Sequence, residues 1–287
     1  MNSRRPYEQA PVGWRPAAAA TPSGTVIYSI GDIHGSSELL RQILAAIWDD
    51  SRARPARRRV LVFLGDYINR GSDSSVVVDM AMEPGLAGFE VVALKGNNED
   101  LLLRFVAGDL SVGPNWLDYG GTETLASYGL SVVNAHGRDA AALEELRWRS
   151  DTMADYGVTS RLPQAPKPDL AQLERLRQDI VAILPRRHMD FLRSLRVAHQ
   201  EGDYYFVHAG IRPGVPLDKQ TDLDRMWIRQ RFLESEQDHG VIIVHGHSIF
   251  TEPQLRPNRI GIDTGAYKSG VLTCLVLDGT DREFLQT

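Results

Sequence analysis

The chain has 287 residues, of which 43% are hydrophobic and 24% charged, a composition that excludes a disordered or fibrous protein. Its formal net charge of −5 excludes a general basic footprint, so we expect neither nucleic acid nor a membrane surface as a partner. Cys274 is the only cysteine, which excludes an intrachain disulfide, and no stretch approaches the ~18 apolar residues of a membrane span. We therefore expect a cytoplasmic protein, and the sequence does not predict its oligomeric state.

The N-terminal half alternates predicted strands with predicted helices. Residues 1–24 hold a four-alanine run between prolines and are expected to form a flexible arm. The apolar run TVIYSI, which starts at Thr25, predicts a strand; the polar block GDIHG and the helical pattern SSELLRQILAAIWDD follow it. The same order recurs from RVLVFLGD to SSVVVDMAM and from FEVVALKGNNE to DLLLRFVAG. This alternation predicts an α/β domain over residues 25–287 with a largely parallel sheet.

The second half begins with a predicted helical insertion at about residues 115–200. Two helical patterns, AALEELRWRSDTMADYG and DLAQLERLRQDIVAILPRRHMDFLRSL, flank the proline-rich loop LPQAPKP. Four further strands are predicted in DYYFVHAG, GVIIVHGHS, RIGIDTG and GVLTCLVLDG. The first three of these strands again end in polar residues, as the earlier strands do.

Polar side chains collect at the ends of the predicted strands. Because ligands bind where parallel strands end, we expect these side chains to lie close together. Imidazole, carboxylate and amide donors suit divalent manganese, iron or zinc, and two metals about 3.5–4 Å apart can clamp a phosphate and activate water. The strand-end residues are Asp32, His34, Asp66, Arg70, Asn97, Asn98, Glu99, His208, His245 and His247.

Five of the polar blocks resemble the signature blocks of a known superfamily. GDIHG, GDYINRG, GNNE, HAG and HGHS, in this order over residues 31–248, are similar to the blocks of the metallophosphoesterases, which have the calcineurin-like fold. They most resemble the phosphoprotein phosphatase branch, including bacterial and phage-type serine/threonine phosphatases. The segments WLDYGGTETLASYG, MWIRQRFL and IDTGAYKSG resemble the bacterial members. The resemblance implies a β-sandwich flanked by helices.

The resemblance also implies a set of site residues. A first metal would be held by Asp32, His34 and Asp66, and a second by Asp66, Asn97, His208 and His247. Arg70, Arg229 and Asn97 would bind the substrate phosphate. Two divalent ions are expected, with Mn²⁺ as the first choice and iron or zinc as alternatives. A hydroxide bridging the metals would attack phosphorus directly.

Two positions depart from the family pattern. Asn98 stands where the third block of the family has a histidine that protonates the leaving oxygen, and Asn69 stands where most protein phosphatases of this branch have its aspartate partner. An amide cannot donate a proton as an acid, and general acid catalysis contributes about 10²–10⁴-fold. We expect impaired turnover with binding retained. Deliberate substitution and natural divergence are both open as origins of the two amides.

The resemblance implies a metal-dependent phosphomonoesterase acting on phosphorylated proteins or small phosphoesters. Serine/threonine phosphatase activity is the first expectation, and phosphotyrosine is a further substrate. One alternative is a dinucleoside polyphosphate hydrolase of the same fold, since those enzymes also lack the aspartate at position 69. Another is a pseudophosphatase that binds phosphoproteins without turnover. Hydrolysis of phosphopeptides and of dinucleotides would separate the first two.

Several residues also have an ordinary structural interpretation. Asp32 could cap the helix that follows it, and Asn98 could occupy a left-handed turn position. His245 is expected beside the metals rather than bound to them. Tyr267 could approach the phosphate or close a turn. The arginine-rich segment 52–59 is expected to be a solvated loop, with docking of an acidic partner as the alternative.

Overall fold

The computed structural model describes residues 19–130 and 169–287, and within them ten strands form two five-stranded sheets. The first sheet contains β1 (Thr25–Ile30), β2 (Arg58–Phe63), β3 (Phe89–Ala93), β9 (Thr273–Asp278) and β10 (Asp281–Gln286) in the order β10-β9-β1-β2-β3. The second contains β4 (Ala198–Glu201), β5 (Tyr204–Val207), β6 (Ile242–His245), β7 (Gln254–Leu255) and β8 (Arg259–Gly261) in the order β4-β5-β6-β8-β7.

Each sheet combines three parallel strands with two strands that pair in antiparallel fashion. Strands β1, β2 and β3 are parallel, as are β5, β6 and β8, whereas β9 and β10 and the edge strands β4 and β7 pair in antiparallel fashion. The α/β sandwich fold is therefore confirmed. The alternation of strands and helices predicted a largely parallel sheet, and β1, β2 and β3 are parallel, whereas the chain crosses to a second sheet after its helical region.

The two faces of the first sheet serve two different cores. Side chains alternate along a strand, so Ile27, Val60 and Val62 face the second sheet and pack with Phe206 and Val244. Their neighbours in sequence point the other way, where Val26, Tyr28, Ile30, Leu61 and Phe63 pack against the helices. The central strands are buried on both faces, and this is why they read as continuous apolar runs.

The helices complete the layers. Those of the first half are α1 (Ser37–Ala53), α2 (Ser74–Met82), α3 (Asn97–Val106), a 3₁₀ turn (Leu110–Val112), α4 (Gly113–Trp116), a π turn (Leu117–Gly121) and α5 (Thr122–Ser127). Those of the second half are α6 (Leu170–Ile183), α7 (Arg186–Ser194), a 3₁₀ turn (Leu217–Lys219), α8 (Asp222–Trp227), α9 (Gln230–Leu233) and α10 (Ala266–Ser269).

The second predicted helix of the insertion is divided in the structure. The pattern over 169–195 forms α6 and α7 with Pro185 between them, because proline lacks the N–H that would continue the first helix. The other predicted helix, over 141–157, and the loop LPQAPKP lie outside the described residues. The limits of the insertion, the arm over 1–24 and the domain over 25–287 stay predictions.

The arginine-rich segment makes ion pairs within the chain. Arg58 bonds Glu90 and Glu201, and Arg54 bonds the buried carboxylate of Asp50. These contacts support the structural interpretation of the segment over a docking surface. None of the helices in the described ranges is long and apolar enough to span a membrane.

Candidate metal centre

Five of the parallel strands in the two sheets end around one site. In the first sheet Asp32 follows β1, Asp66 follows β2, and Asn97 follows β3. In the second sheet His208 follows β5 and His247 follows the end of β6 by two residues. The structure therefore brings all the predicted ligand residues together at the carboxyl ends of parallel strands. Ligands bind at this edge in open α/β sheets.

Two groups of side chains share Asp66. The ligand atoms of Asp32, His34 and Asp66 lie within 4.8 Å of one another, and so do those of Asp66, His208 and His247. The His34 Nε2 atom is 3.5 Å from Asp66 Oδ2, and the His208 Nε2 atom is 3.6 Å from Asp66 Oδ1. Each carboxylate oxygen of Asp66 thus faces a different group, which is the geometry of a bridging ligand between two metals.

Backbone carbonyls hold the two histidines in one orientation. His34 Nδ1 lies 3.0 Å from the carbonyl oxygen of Ile68, and His208 Nδ1 lies 3.0 Å from that of Leu64. A carbonyl only accepts, so both Nδ1 atoms carry the hydrogen, and both Nε2 atoms keep an electron pair that a cation beside Asp66 could take. Asn97 Oδ1 is 2.9 Å from His208 Nε2 and belongs to the same group.

Burial sets the charge of the site. It lowers the pKa of His34 to about 3 and that of His208 to about 4, so both imidazoles are neutral near pH 7. It raises the pKa of Asp66 to about 6 and that of Asp263 to about 6, and it also raises the pKa of Asp32. Neutral imidazoles beside crowded buried carboxylates favour occupancy by cations, because a cation would offset the repulsion among the carboxylates.

The site contains every described non-glycine residue with a positive φ. These φ values are 48° for His34, 53° for Asp66, 73° for Asn69, 69° for Arg70 and 61° for His247. A left-handed conformation is uncommon for such residues and is costly for most of them. The backbone is therefore held in unfavourable conformations at the positions whose side chains converge.

Two glycines let the backbone approach the carboxylates. A Cβ atom on Gly96 would lie 2.0 Å from Asp66 Oδ1, and one on Gly246 would lie 2.0 Å from Asp32 Oδ1. The backbone N–H of His247 donates to both Asp32 oxygens at 3.1 and 3.2 Å. The glycines of GNNE and HGHS are thus explained by the space that the carboxylates occupy.

Glu99 binds the backbone of the loop that contains Asp66. Its two carboxylate oxygens accept from the backbone N–H groups of Asp66, Tyr67, Ile68 and Gly96 at 2.9–3.2 Å. This carboxylate therefore organises the loop and does not serve as a ligand. The sequence marked Glu99 as part of a polar block, but only the structure reveals which backbone groups it binds.

The two amides that replace the acid dyad of the family form a chain of hydrogen bonds. Asn69 Nδ2 donates to Asn98 Oδ1 at 2.7 Å, and Asn98 Nδ2 donates to Asp66 Oδ2 at 2.7 Å. Both asparagines are buried. Asn98 lies in the first turn of α3, so the left-handed turn proposed for it is wrong; that conformation belongs to Asn69.

Two arginines bring positive charge to the site. Arg70 donates from Nη1 to the Tyr267 hydroxyl at 3.1 Å, and its guanidinium lies 5.0 Å from the centre of that ring. Its Nε atom is buried without a hydrogen-bond partner in the described chain, as expected of a donor for an anion. Arg229 precedes α9 and lies near both metal groups, since its charge opposes the rise that burial causes in the pKa of Asp66 and adds to the fall that burial causes in the pKa of His247.

The remaining predicted positions have clear surroundings. Helix α1 begins after Ser36, so Asp32 does not cap it. His245 Nδ1 contacts the Gly246 carbonyl oxygen at 3.0 Å, and its Nε2 faces Arg259 at 3.3 Å. Both ring nitrogens therefore have partners outside the two metal groups.

Asp263 is a residue that the sequence did not single out. It follows β8, it is buried, and its charge raises the pKa of Asp32. Its Oδ1 atom accepts from the N–H of Gly265. The position after a central strand was the available signal, since RIGIDTG ends in polar residues like the other strands.

The residues present fit a pair of divalent cations. The donor set has three neutral imidazoles, two carboxylates and one amide, and the Nε2 atom of one imidazole, His247, is buried with no hydrogen-bond partner within the described part of the chain. An unpaired buried nitrogen of this kind is costly unless a ligand takes its electron pair or its hydrogen. The fold and this site together define a class, the metal-dependent hydrolases with a shared bridging aspartate.

Residues 25–268 match the calcineurin-like phosphoesterase family, and the chain belongs to that family. It is a metal-dependent phosphoesterase enzyme. The asymmetrical bis(5'-nucleosyl)-tetraphosphatase PrpE of Anoxybacillus flavithermus is 25% identical over 269 residues, which cover 87% of this chain and 90% of the relative. The protein of the same name from Bacillus thuringiensis is 23% identical over 258 residues, 86% of this chain and 88% of the relative.

The fold is also seen in solved structures. A crystal structure described as that of a candidate diadenosine tetraphosphatase superposes with a TM-score of 0.54 at 18% identity, and the match covers 93% of this chain and 98% of that one. This likeness concerns the fold alone.

Proposed function

We propose that the chain hydrolyses dinucleoside polyphosphates, cleaving a phosphoanhydride bond within the polyphosphate. The observation that carries the proposal is the Asn69–Asn98 pair at the positions from which the related phosphatases protonate a leaving oxygen. A phosphoanhydride releases a nucleoside phosphate, which is stable as an anion and needs little protonation. An alkyl phosphate such as phosphoserine releases an alkoxide, for which a missing acid costs about 10²–10⁴-fold.

The curated relatives support this choice of substrate. Proteins named bis(5'-nucleosyl)-tetraphosphatase align over nearly the whole of this chain, although at 23–25% identity. These alignments support dinucleoside polyphosphate hydrolysis over protein dephosphorylation. The missing aspartate at position 69 had suggested the same alternative.

The geometry supports a role for each of the site residues. Asp32, His34 and Asp66 would hold one metal, and Asp66, Asn97, His208 and His247 the other. The metals, when bound, supply Lewis acid activation of water and neutralise phosphate charge. Arg70 would grip the phosphoryl group through its unpaired Nε edge, with Arg229 and Asn97 as further contacts. The buried Asn98 can donate a hydrogen bond but no proton.

Protein phosphatase activity is the second candidate. It is favoured by the resemblance of WLDYGGTETLASYG and MWIRQRFL to the bacterial serine/threonine phosphatases. In this chain the first of these segments supports the site: the Gly120 carbonyl accepts from the N–H of Arg70 at 3.3 Å, and Thr124 bonds Asn69. Such support serves either substrate. Among phosphorylated side chains, hydrolysis of phosphotyrosine would be slowed least by the missing acid, because its phenolic leaving group needs less protonation.

The test compares diadenosine tetraphosphate with a phosphoserine peptide and a phosphotyrosine peptide at matched Mn²⁺ occupancy. The proposal expects a higher kcat/KM for the dinucleotide, with nucleotide products identified by chromatography. A faster reaction with phosphoserine would reject it in favour of the protein phosphatase. Bound metal with no turnover of any of the three would make the chain a pseudophosphatase.

A further inference from the structure

Thr124 makes three hydrogen-bond contacts at the back of the metal site. Its buried hydroxyl, on α5, accepts from the backbone N–H of Asn69 at 2.8 Å and donates to Asn69 Oδ1 at 2.9 Å. The third contact is with Ser74 Oγ at 3.3 Å. A hydroxyl has one hydrogen, so the Ser74 hydroxyl is the donor in this last contact. Thr124 thereby fixes both the backbone and the side chain of Asn69.

The orientation of the Asn69 amide is determined by an unambiguous acceptor. Its Nδ2 atom lies 3.2 Å from the backbone carbonyl oxygen of Tyr119, and a carbonyl oxygen there would be repelled. One Nδ2 hydrogen therefore goes to Tyr119 and the other to Asn98 Oδ1. Asn69 offers position 98 a donor.

The donor-to-acceptor direction of the hydrogen bonds continues from Asn69 through Asn98 to Asp66. Since Asn98 Oδ1 accepts from Asn69, its Nδ2 must face Asp66 Oδ2, where a carboxylate accepts at 2.7 Å. The backbone N–H of Asn98 also donates, to Asp66 Oδ1 at 3.1 Å. Donors and acceptors agree at each step from Thr124 to Asp66, so the chain of bonds has a single direction.

We propose that Thr124 is a positioning residue of the metal centre, which directs the Asn69–Asn98 pair to brace the bridging carboxylate of Asp66. The inference rests on the metal centre of the proposed function but not on the choice of substrate. It gives the two amides a shared role as hydrogen-bond donors to the metal ligand. Partners that orient ligands in this way affect metal affinity by about 10–100-fold.

The first test measures Mn²⁺ affinity by calorimetry on the full chain. Thr124→Val removes the hydroxyl at nearly constant volume and should weaken Mn²⁺ binding about tenfold, the lower end of the range, because Thr124 acts through two other residues. Thr124→Ser keeps the hydroxyl and should bind like the unaltered chain. Thr122→Val is the matched control, since the Thr122 hydroxyl bonds Glu123 and none of the site residues.

A double-mutant cycle separates positioning from general loss of stability. In an Asn98→Ala background the side-chain bond to Asp66 is gone and only the backbone bond remains, so Thr124→Val should have little further effect on Mn²⁺ affinity. Equal Mn²⁺ affinity of Thr124→Val and the unaltered chain would overturn the proposal. So would a full tenfold loss in the Asn98→Ala background, since Thr124 would then act by another route.

A second measurement uses the unaltered chain and does not depend on whether the Thr124 variants fold. In the metal-free chain labelled with ¹⁵N-asparagine, the side-chain amide hydrogens of Asn69 and Asn98 should exchange with solvent far more slowly than those of the exposed Asn115. Exchange as fast as that of Asn115 would overturn the hydrogen-bond chain. Absence of Mn²⁺ binding by the unaltered chain would instead refute the metal centre of the proposed function and with it the positioning role of Thr124, whereas fast exchange with Mn²⁺ bound normally would overturn the positioning role alone.

Discussion

Restoring a proton donor requires two substitutions, Asn69→Asp together with Asn98→His. In the structure both Nδ2 hydrogens of Asn69 are used, one on the Tyr119 carbonyl and one toward position 98. A histidine introduced alone would accept from this donor at its inner ring nitrogen, which disfavours the doubly protonated imidazolium that a general acid needs. An aspartate at 69 supplies the acceptor that a proton-donating imidazole needs behind it.

The expected gain follows from the same contacts. General acid catalysis gives about 10²–10⁴-fold, or about 3–5 kcal/mol. A carboxylate at 69 would bring an oxygen to the Tyr119 carbonyl at a position now 3.2 Å away, so we expect the lower end, about 100-fold. The assay is kcat/KM at saturating Mn²⁺ for a phosphoserine peptide and for p-nitrophenyl phosphate. The double variant should gain on the peptide and change little on the aryl ester. An equal gain from Asn98→His alone, or equal gains on both substrates, would refute the reasoning.

Three further predictions concern metal and phosphate. Gly96→Ala should abolish Mn²⁺ binding in calorimetry, because its Cβ would lie 2.0 Å from Asp66 Oδ1; unchanged affinity would contradict the geometry. Arg70→Lys should weaken inhibition by inorganic phosphate about tenfold at an unchanged melting temperature, since lysine has no bidentate edge. Mn²⁺ affinity should fall as the pH drops from 7 to 5, by up to about tenfold per unit for one displaced proton, because the pKa of Asp66 is raised to about 6 and the metal must then displace a proton. His208, with a pKa of about 4, stays neutral over this range, so affinity independent of pH would count against Asp66 as a ligand.

Much of the site was predictable from local sequence. Alternating strands and helices place polar residues at strand ends, and that rule alone predicts that Asp32, Asp66 and Asn97 lie at one edge of a sheet. The five polar blocks then predicted the ligand grouping around Asp66, which the structure brings together. Local patterns suffice here because each block is short and the strand that precedes it fixes the direction in which it points.

The rest depends on contacts between distant segments. The resemblance implied a sandwich, but the strand pattern itself does not divide the strands between two sheets, because β1 and β5 have the same apolar pattern and differ only in the strands they pair with. Thr124 is 55 residues from Asn69 in sequence, and its bond to that residue arises from the packing of α5. Asp263 is likewise brought to the site by the second sheet.

The most direct test of the account is the dependence of rate on the leaving group. The Mn²⁺-loaded chain would be assayed on a series of aryl phosphates whose phenols differ in acidity, with kcat/KM plotted against the pKa of the phenol. Because the buried Asn98 cannot protonate the leaving oxygen, the account predicts a steep fall in rate as the phenol becomes less acidic. A flat plot would mean that a proton is supplied to the leaving oxygen, and this would contradict the central claim.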